Sequence, residues 1–196
     1  VRGLGYPSNI DCRSTAVSLK LFKNGFSNEI TVGEAYYMIF NLLDAQMYEL
    51  NFEGTNATYE LGRTVLEYVH KCRKNTGIIN ANAYTSLSDS NGVGQNQVQI
   101  DDEIYSVGRS DIGEYIGYKA VYYESIDEDN EIITYYLSPK NSVQTISDED
   151  IEAVSADGNR ITIKKNDGKK VSFDAYIPTI YNGIFKAEKL TVSDID

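Results

Sequence analysis

His70 is the only histidine among 196 residues, so an imidazole-based catalytic dyad or zinc centre has one place to form. No ligand spacing surrounds it. Cys72 lies two residues on, a separation that points helix side chains in different directions, so His70 reads as a solvent-facing residue beside Lys71. Cys12 and Cys72 are the two cysteines, and a bridge needs their Cα atoms within roughly 7 Å, which the sequence does not establish. Both read as free, buried thiols, with Cys72 a small hydrophobe on the apolar side of a helix. Asp127, Glu128, Asp129 and Glu131 alternate like the start of a calcium loop. Position 132 is isoleucine where the sharp turn needs glycine, however, and the twelfth position is Ser138 rather than a bidentate glutamate. The cluster reads as a solvated hairpin, and Ser147-Asp148-Glu149-Asp150 as a helical-turn cap or loop. Gly3-Leu4-Gly5 precedes Tyr6-Pro7 instead of opening a helix, and Gly92-Val93-Gly94 sits in a polar loop, so neither forms a phosphate cradle. The expectation is a non-enzymatic chain with no catalytic residue, metal or cofactor.

The residues that remain are aromatic. Sixteen tyrosines accompany no tryptophan, and several are adjacent: Tyr36-Tyr37, Tyr122-Tyr123 and Tyr135-Tyr136. Neighbours in a strand face opposite sides, so one ring of each pair can enter a core while the other covers the outer surface. Ordinary strand packing accounts for this. The sharper reading is an exposed aromatic surface for a protein or sugar partner, with Tyr122, Tyr123, Tyr135 and Tyr136 as candidate binding residues.

Charge narrows the partners. Twenty-nine acidic against 18 basic residues give a formal charge of −11, which repels phosphate backbones and anionic lipid surfaces. Nucleic acid is excluded as an expected partner. No apolar run approaches the roughly 20 residues of a membrane span, so no membrane insertion is expected. A start at Val1 rather than Met fits a processed form or an excised portion of something longer.

The elements that must position these residues change character near Asn75-Thr76-Gly77, where helical spacing of apolar residues gives way to alternation. Thr31-Val32-Gly33-Glu34 has the form of a capping box, and Val32, Ala35, Tyr36, Ile39, Leu43 and Met47 then mark one face of a helix packed on a core. Thr64 and Glu67 cap a second helix through Cys72, with Lys71, Arg73 and Lys74 near its end and Gly77 as its stop. Between them, 48–52 reads as a short strand with its turn at Glu53-Gly54-Thr55-Asn56, and 16–22 as a short helix or an extended arm. After Gly77, segments 78–87, 97–107, 118–124, 131–137, 160–165 and 169–173 read as strands. Their hairpins close at Asp127-Glu128-Asp129-Asn130, Asp157-Gly158-Asn159 and Asn166-Asp167-Gly168, and 88–97 is a polar loop. The expected fold class is α+β: a small helical part over 1–77, then a mainly antiparallel β meander or barrel-like region over 78–196.

Asn28-Glu29-Ile30-Thr31-Val32-Gly33-Glu34-Ala35, running on to Asn41-Leu42-Leu43-Asp44, resembles the second helix of S-layer homology modules and the segment that follows it in clostridial surface proteins. Gly77-Ile78-Ile79-Asn80-Ala81-Asn82-Ala83-Tyr84-Thr85, Ile112-Gly113-Glu114-Tyr115-Ile116-Gly117-Tyr118 and Ile180-Tyr181-Asn182-Gly183 resemble elements of the β-rich regions that accompany those modules. The resemblance covers most of 26–185. It implies a structural or interaction protein of a microbial cell surface, a segment of a larger S-layer-like or wall-associated assembly. Its partners would be neighbouring protein subunits, with cell-wall glycan a second candidate. The family's T-R-A-E motif uses an arginine to hold wall polymer; Val32 stands there in this chain, so no polymer-binding residue is carried over. A virion structural component and a carbohydrate-binding module using exposed tyrosines stand as alternatives.

Overall fold

Two capping boxes and a series of turn residues set out the elements of an α+β, β-rich fold, whose computed structural model describes residues 1–22, 29–88, 92–128, 130–155, 160–165, 167–174, 179–181 and 184–186. The expected turn at Asp157-Gly158-Asn159, together with Asn28, Asp129, Asn166, Asn182, Gly183 and part of the 88–97 loop, lies outside the described residues. The chain divides into two units, Val1–Lys74 with Ser125–Asp127, and Asn75–Glu124 with Glu128–Asp196.

The first unit holds helices α1 (Cys12–Ser18), α2 (Val32–Leu43) and α3 (Val65–His70) and the antiparallel hairpin of β1 (Gln46–Glu53) and β2 (Asn56–Thr64). Helix α1 lies earlier than the 16–22 reading, because Asp11 caps it by accepting hydrogen bonds from the amides of Arg13 and Ser14. Both expected capping boxes form: the Thr31 and Thr64 hydroxyls accept from the Glu34 and Glu67 amides, and each glutamate accepts from its cap residue's amide. Helix α3 is shorter than expected. It ends at His70 because Lys71 adopts a left-handed conformation, φ 54°, and Cys72 already belongs to β3 (Cys72–Ala81). Cys72 is therefore a half-buried strand residue, not one on a helix face, and both thiols are free.

Gly77 acts inside β3 rather than as a helix stop. A Cβ there would lie 2.5 Å from the Ile100 side chain and 2.6 Å from a carboxylate oxygen of Asp101, so only glycine lets the strands approach. In the second unit β4 (Gln97–Ile100), β5 (Glu103–Ser106), β6 (Lys119–Ser125) and β7 (Ile132–Leu137) complete a five-stranded sheet of order β5-β4-β3-β6-β7. The stretch 97–107 is a tight hairpin rather than one strand. Asp101 turns it at φ 50°, and its carboxylate accepts a hydrogen bond from the Ile78 amide. Alternation places Val98, Ile100, Ala120 and Tyr122 inward with Ile79, Tyr105, Ile112 and Ile132, and this cluster is the core of the sheet. The sheets do not close into a barrel: among the described residues the ends of the edge strands meet at an isolated bridge, Ser106 to Glu131, and not as a paired ladder. Two further antiparallel sheets follow, β8 (Ile151–Val154), β9 (Arg160–Lys164) and β10 (Lys170–Asp174) in the order β10-β9-β8, then β11 (Thr179–Tyr181) with β12 (Ile184–Lys186). No helix among the described residues is long and apolar enough to cross a membrane.

Candidate functional site

The β1–β2 hairpin separates polar from apolar residues completely over its outer two-thirds. Directly opposed residues in an antiparallel pair share a face. The register pairs Tyr48 with Leu61, Leu50 with Tyr59 and Phe52 with Ala57 on one face. It pairs Glu49 with Glu60, Asn51 with Thr58 and Glu53 with Asn56 on the other. One side of the ribbon is therefore wholly apolar and uncharged, and the other carries three carboxylates.

The apolar side is bare toward the tip. At the base Tyr48 is half-buried, its ring meeting Tyr6 edge-on at 4.7 Å, and Gly5 approaches so closely that a Cβ would lie 2.6 Å from the Tyr48 carbonyl oxygen. Beyond it Leu50, Phe52, Tyr59 and Leu61 are 44%, 65%, 61% and 51% exposed. Taking about 200 Å² for a fully bared aromatic side chain, these four leave on the order of 400 Å² open, within the range of patches that mark interaction sites.

The polar side holds the ribbon in shape. Glu49 accepts two hydrogen bonds from the Arg63 guanidinium, at 3.0 and 2.8 Å, and a third from the Arg63 amide at 2.8 Å. Those bonds, with the guanidinium charge, hold its carboxyl at about 2 against an ordinary 4.5. Gly62 makes room for the clamp, since a Cβ there would sit 2.6 Å from the Glu49 carboxylate. Arg63 also lies over the Tyr68 ring, 4.8 Å from its centroid, which ties the hairpin to α3.

Helix α2 adds a second bare surface to this unit. The expected inward stripe is sheltered only in part: Ala35, Leu43 and Met47 are half-buried, whereas Val32, Tyr36 and Ile39 are exposed, and no α2 residue is fully buried. Ala35, Met38 and Leu42, half-buried, take the sheltered side that continues to buried Ala45. The sequence VGEAYYMIFNLL is apolar nearly all round, so its period does not select one face.

The candidate tyrosines divide between the two faces of the β6–β7 pair, Tyr122 with its opposed partner Tyr135 on one and Tyr123 with Tyr136 on the other. Tyr122 is in the core, 4% exposed, edge-on to Tyr105 at 5.1 Å, with its hydroxyl donating to the Tyr105 hydroxyl, which donates to Glu103. Burial pushes both phenols up, and neither ring is presented to a ligand. Tyr135 is half-buried and donates to Asp111; burial first and that carboxylate second push its phenol up. Tyr123, opposed to Thr134, is half-buried, and Tyr136 is 43% exposed. The structure does not gather the four into one surface, because strand alternation sends Tyr122 and Tyr123 to opposite faces.

His70 is exposed on α3, as its sequence context indicates. Glu131 titrates above the usual carboxylate range because Glu128 both hydrogen-bonds to it and repels it. Among the described residues no three His, Cys, Asp or Glu side chains come together as a metal site.

Sequence reasoning stopped at the turn after 48–52 and missed β2. The signal was present: Ala57, Tyr59 and Leu61 alternate with Asn56, Thr58 and Glu60, a strict period of two. No protein-family model, curated protein or solved structure matches this chain.

Proposed function

We propose that this chain is a non-enzymatic structural protein of a microbial cell surface, a segment of an S-layer-like or wall-associated assembly, and that its β1–β2 hairpin joins it to a second copy of itself. The observation that carries this reading is the uncharged apolar face of Leu50, Phe52, Tyr59 and Leu61, bare in the isolated chain. A two-stranded ribbon alone is marginal in water, and covering this face is what stabilises it.

The lack of charge on this face lets a second copy occupy it despite the net charge of the chain. At −11 each, two copies repel one another, and most pairings would oppose carboxylates. Stacking the two apolar faces avoids this, because Glu49, Glu53 and Glu60 all point away from the contact. Two such faces bury on the order of 800 Å² together, the size of a weak, reversible contact. In an array such contacts gain strength by repetition. The resemblance of 28–44 to an S-layer homology helix supports the surface setting, and the settings of the strongly shifted groups support the non-enzymatic one: Glu49, Tyr105 and Tyr135 are all engaged in structural hydrogen bonds.

Sedimentation equilibrium of the chain and of a Phe52→Ser/Tyr59→Ser double variant tests the contact. The expected result is a reversible dimer whose dissociation constant rises at least tenfold in the variant, with unchanged far-UV circular dichroism. Identical monomeric behaviour of both at high concentration counts against it. Detection of the polypeptide in purified virus particles rather than cell-wall extracts would move the setting to a virion.

A further inference from the structure

Tyr84 is the most exposed large hydrophobic residue among those described, at 84%, and it stands on a turn held by hydrogen bonds. The Asn82 side chain accepts hydrogen bonds from the Tyr84 and Thr85 amides, both at 2.8 Å, while its amide group donates to the Gly113 carbonyl at 2.8 Å. The Asn82 carbonyl in turn accepts from the Val93 amide, and Gly92 lies so near that a Cβ there would be 2.8 Å from that oxygen. A ring on a mobile loop costs loop entropy to fix on binding; here the backbone that carries the ring is held beforehand, leaving only the side-chain torsions to order.

Tyr84 lines an open cleft of about 400 Å³, a volume within the range of ligand sites. Its lining is mixed, polar and apolar surface in about equal parts. Gln95, Asn96, Asp111 and Glu114 reach it, and among the described residues the side chains of Gln95, Asn96 and Glu114 and the Tyr84 hydroxyl bond to no other group. Asp111 is oriented by the Tyr135 hydroxyl, which occupies one carboxylate oxygen and leaves the other for a ligand. We propose that this cleft binds a neutral glycan, one sugar ring stacking on Tyr84 while Gln95, Asn96, Asp111 and Glu114 exchange hydrogen bonds with its hydroxyls.

The chemistry selects this class. Two carboxylates repel phosphates, uronates and other anions. Amides and carboxylates supply both donors and acceptors, which matches hydroxyls that do both. The apolar face of a pyranose fits a flat phenol ring with a polar rim. The cleft opens to solvent, which suits a stretch of a longer polysaccharide rather than an enclosed metabolite. This site is separate from the hairpin contact and stands whether or not the chain dimerises.

Native electrophoresis of the full chain through gels cast with a soluble β-glucan, mannan or galactan tests the proposal, with hyaluronan as the anionic counter-probe. At least one neutral polymer should retard the chain and hyaluronan should not. Tyr84→Ala should weaken that retardation at least tenfold, Glu114→Gln measurably, and Tyr84→Phe, which keeps the ring, by less than about threefold. Because Tyr84 is exposed, its replacement leaves the core cluster intact, and circular dichroism verifies this. No retardation by any neutral polymer, preference for hyaluronan, or full retention of binding in Tyr84→Ala overturns the proposal.

Discussion

Glu49 is the carboxylate through which pH reaches the hairpin. Its pKa is lowered from 4.5 to about 2 on folding, so its contribution is complete above pH 4.5 and is lost as pH falls through 2. Glu49→Gln should therefore melt below the parent at neutral pH, with the gap closing as both are titrated from pH 4.5 toward 2; a constant gap in thermal scans across that window counts against the clamp. The pair is exposed and the effect is small. Tyr122 presents the opposite case, a hydroxyl inside the core. Tyr122→Phe keeps the edge-on ring contact and deletes the bond to Tyr105, so chemical denaturation should show a loss of about 1 kcal/mol. A stability unchanged within error would mean that the hydroxyl pair contributes nothing net. At this scale the sequence was only half legible. Adjacent tyrosines in strands must face opposite ways, but which of Tyr122 and Tyr123 turns inward depends on the sheet that covers them.

Helices α2 and α3 were both announced by their caps, yet only one feature of each followed from the sequence. The capping boxes form because they need four consecutive residues and nothing else. Helix α3 has six residues, too few to be stable by propensity, so its cap matters in proportion. Thr64→Ala should cost about 1 kcal/mol in denaturant unfolding and should also raise the apparent pKa of Glu67, which the Thr64 amide and hydroxyl hold down. An unshifted Glu67 carboxyl resonance on titration would show that the box does not form in solution. The length of α3 was not legible, since its end is set by the left-handed turn at Lys71 and by the pairing of the strand that follows. The hairpin was half legible: the turn at Glu53-Gly54-Thr55-Asn56 and β1 were apparent, while β2 went unread between two helices.

For the molecule as a whole, self-association must work against −11 on each copy. Added salt screens that repulsion without weakening an uncharged contact, so the proposed dimer should strengthen on going from about 10 mM to 0.5 M sodium chloride. Light scattering or sedimentation across that range checks it, and a dimer that falls apart with salt would point instead to ion pairing with a different surface. The glycan cleft predicts no such dependence, because a neutral ligand carries no charge to screen. The two proposed contacts are thus separable by salt alone.

Composition, alternation and turn chemistry were enough to establish an antiparallel, β-rich α+β chain with capped helices, because each of those signals is complete within a few residues. They also brought the 118–124 and 131–137 strands into a hairpin close to its observed bounds. What they left open was decided by contacts distant in sequence. Helix α2, apolar on nearly every side, has its sheltered face chosen by its neighbours; Gly77 is required by Ile100 of another strand and by Asp101 in the turn after it; and the turn that carries Tyr84 is tied through Asn82 to Gly113, 31 residues away. Local sequence fixes conformation through steric and hydrogen-bonding preferences of adjacent residues, whereas exposure is a property of what the rest of the chain covers, and that exists only once the chain has folded.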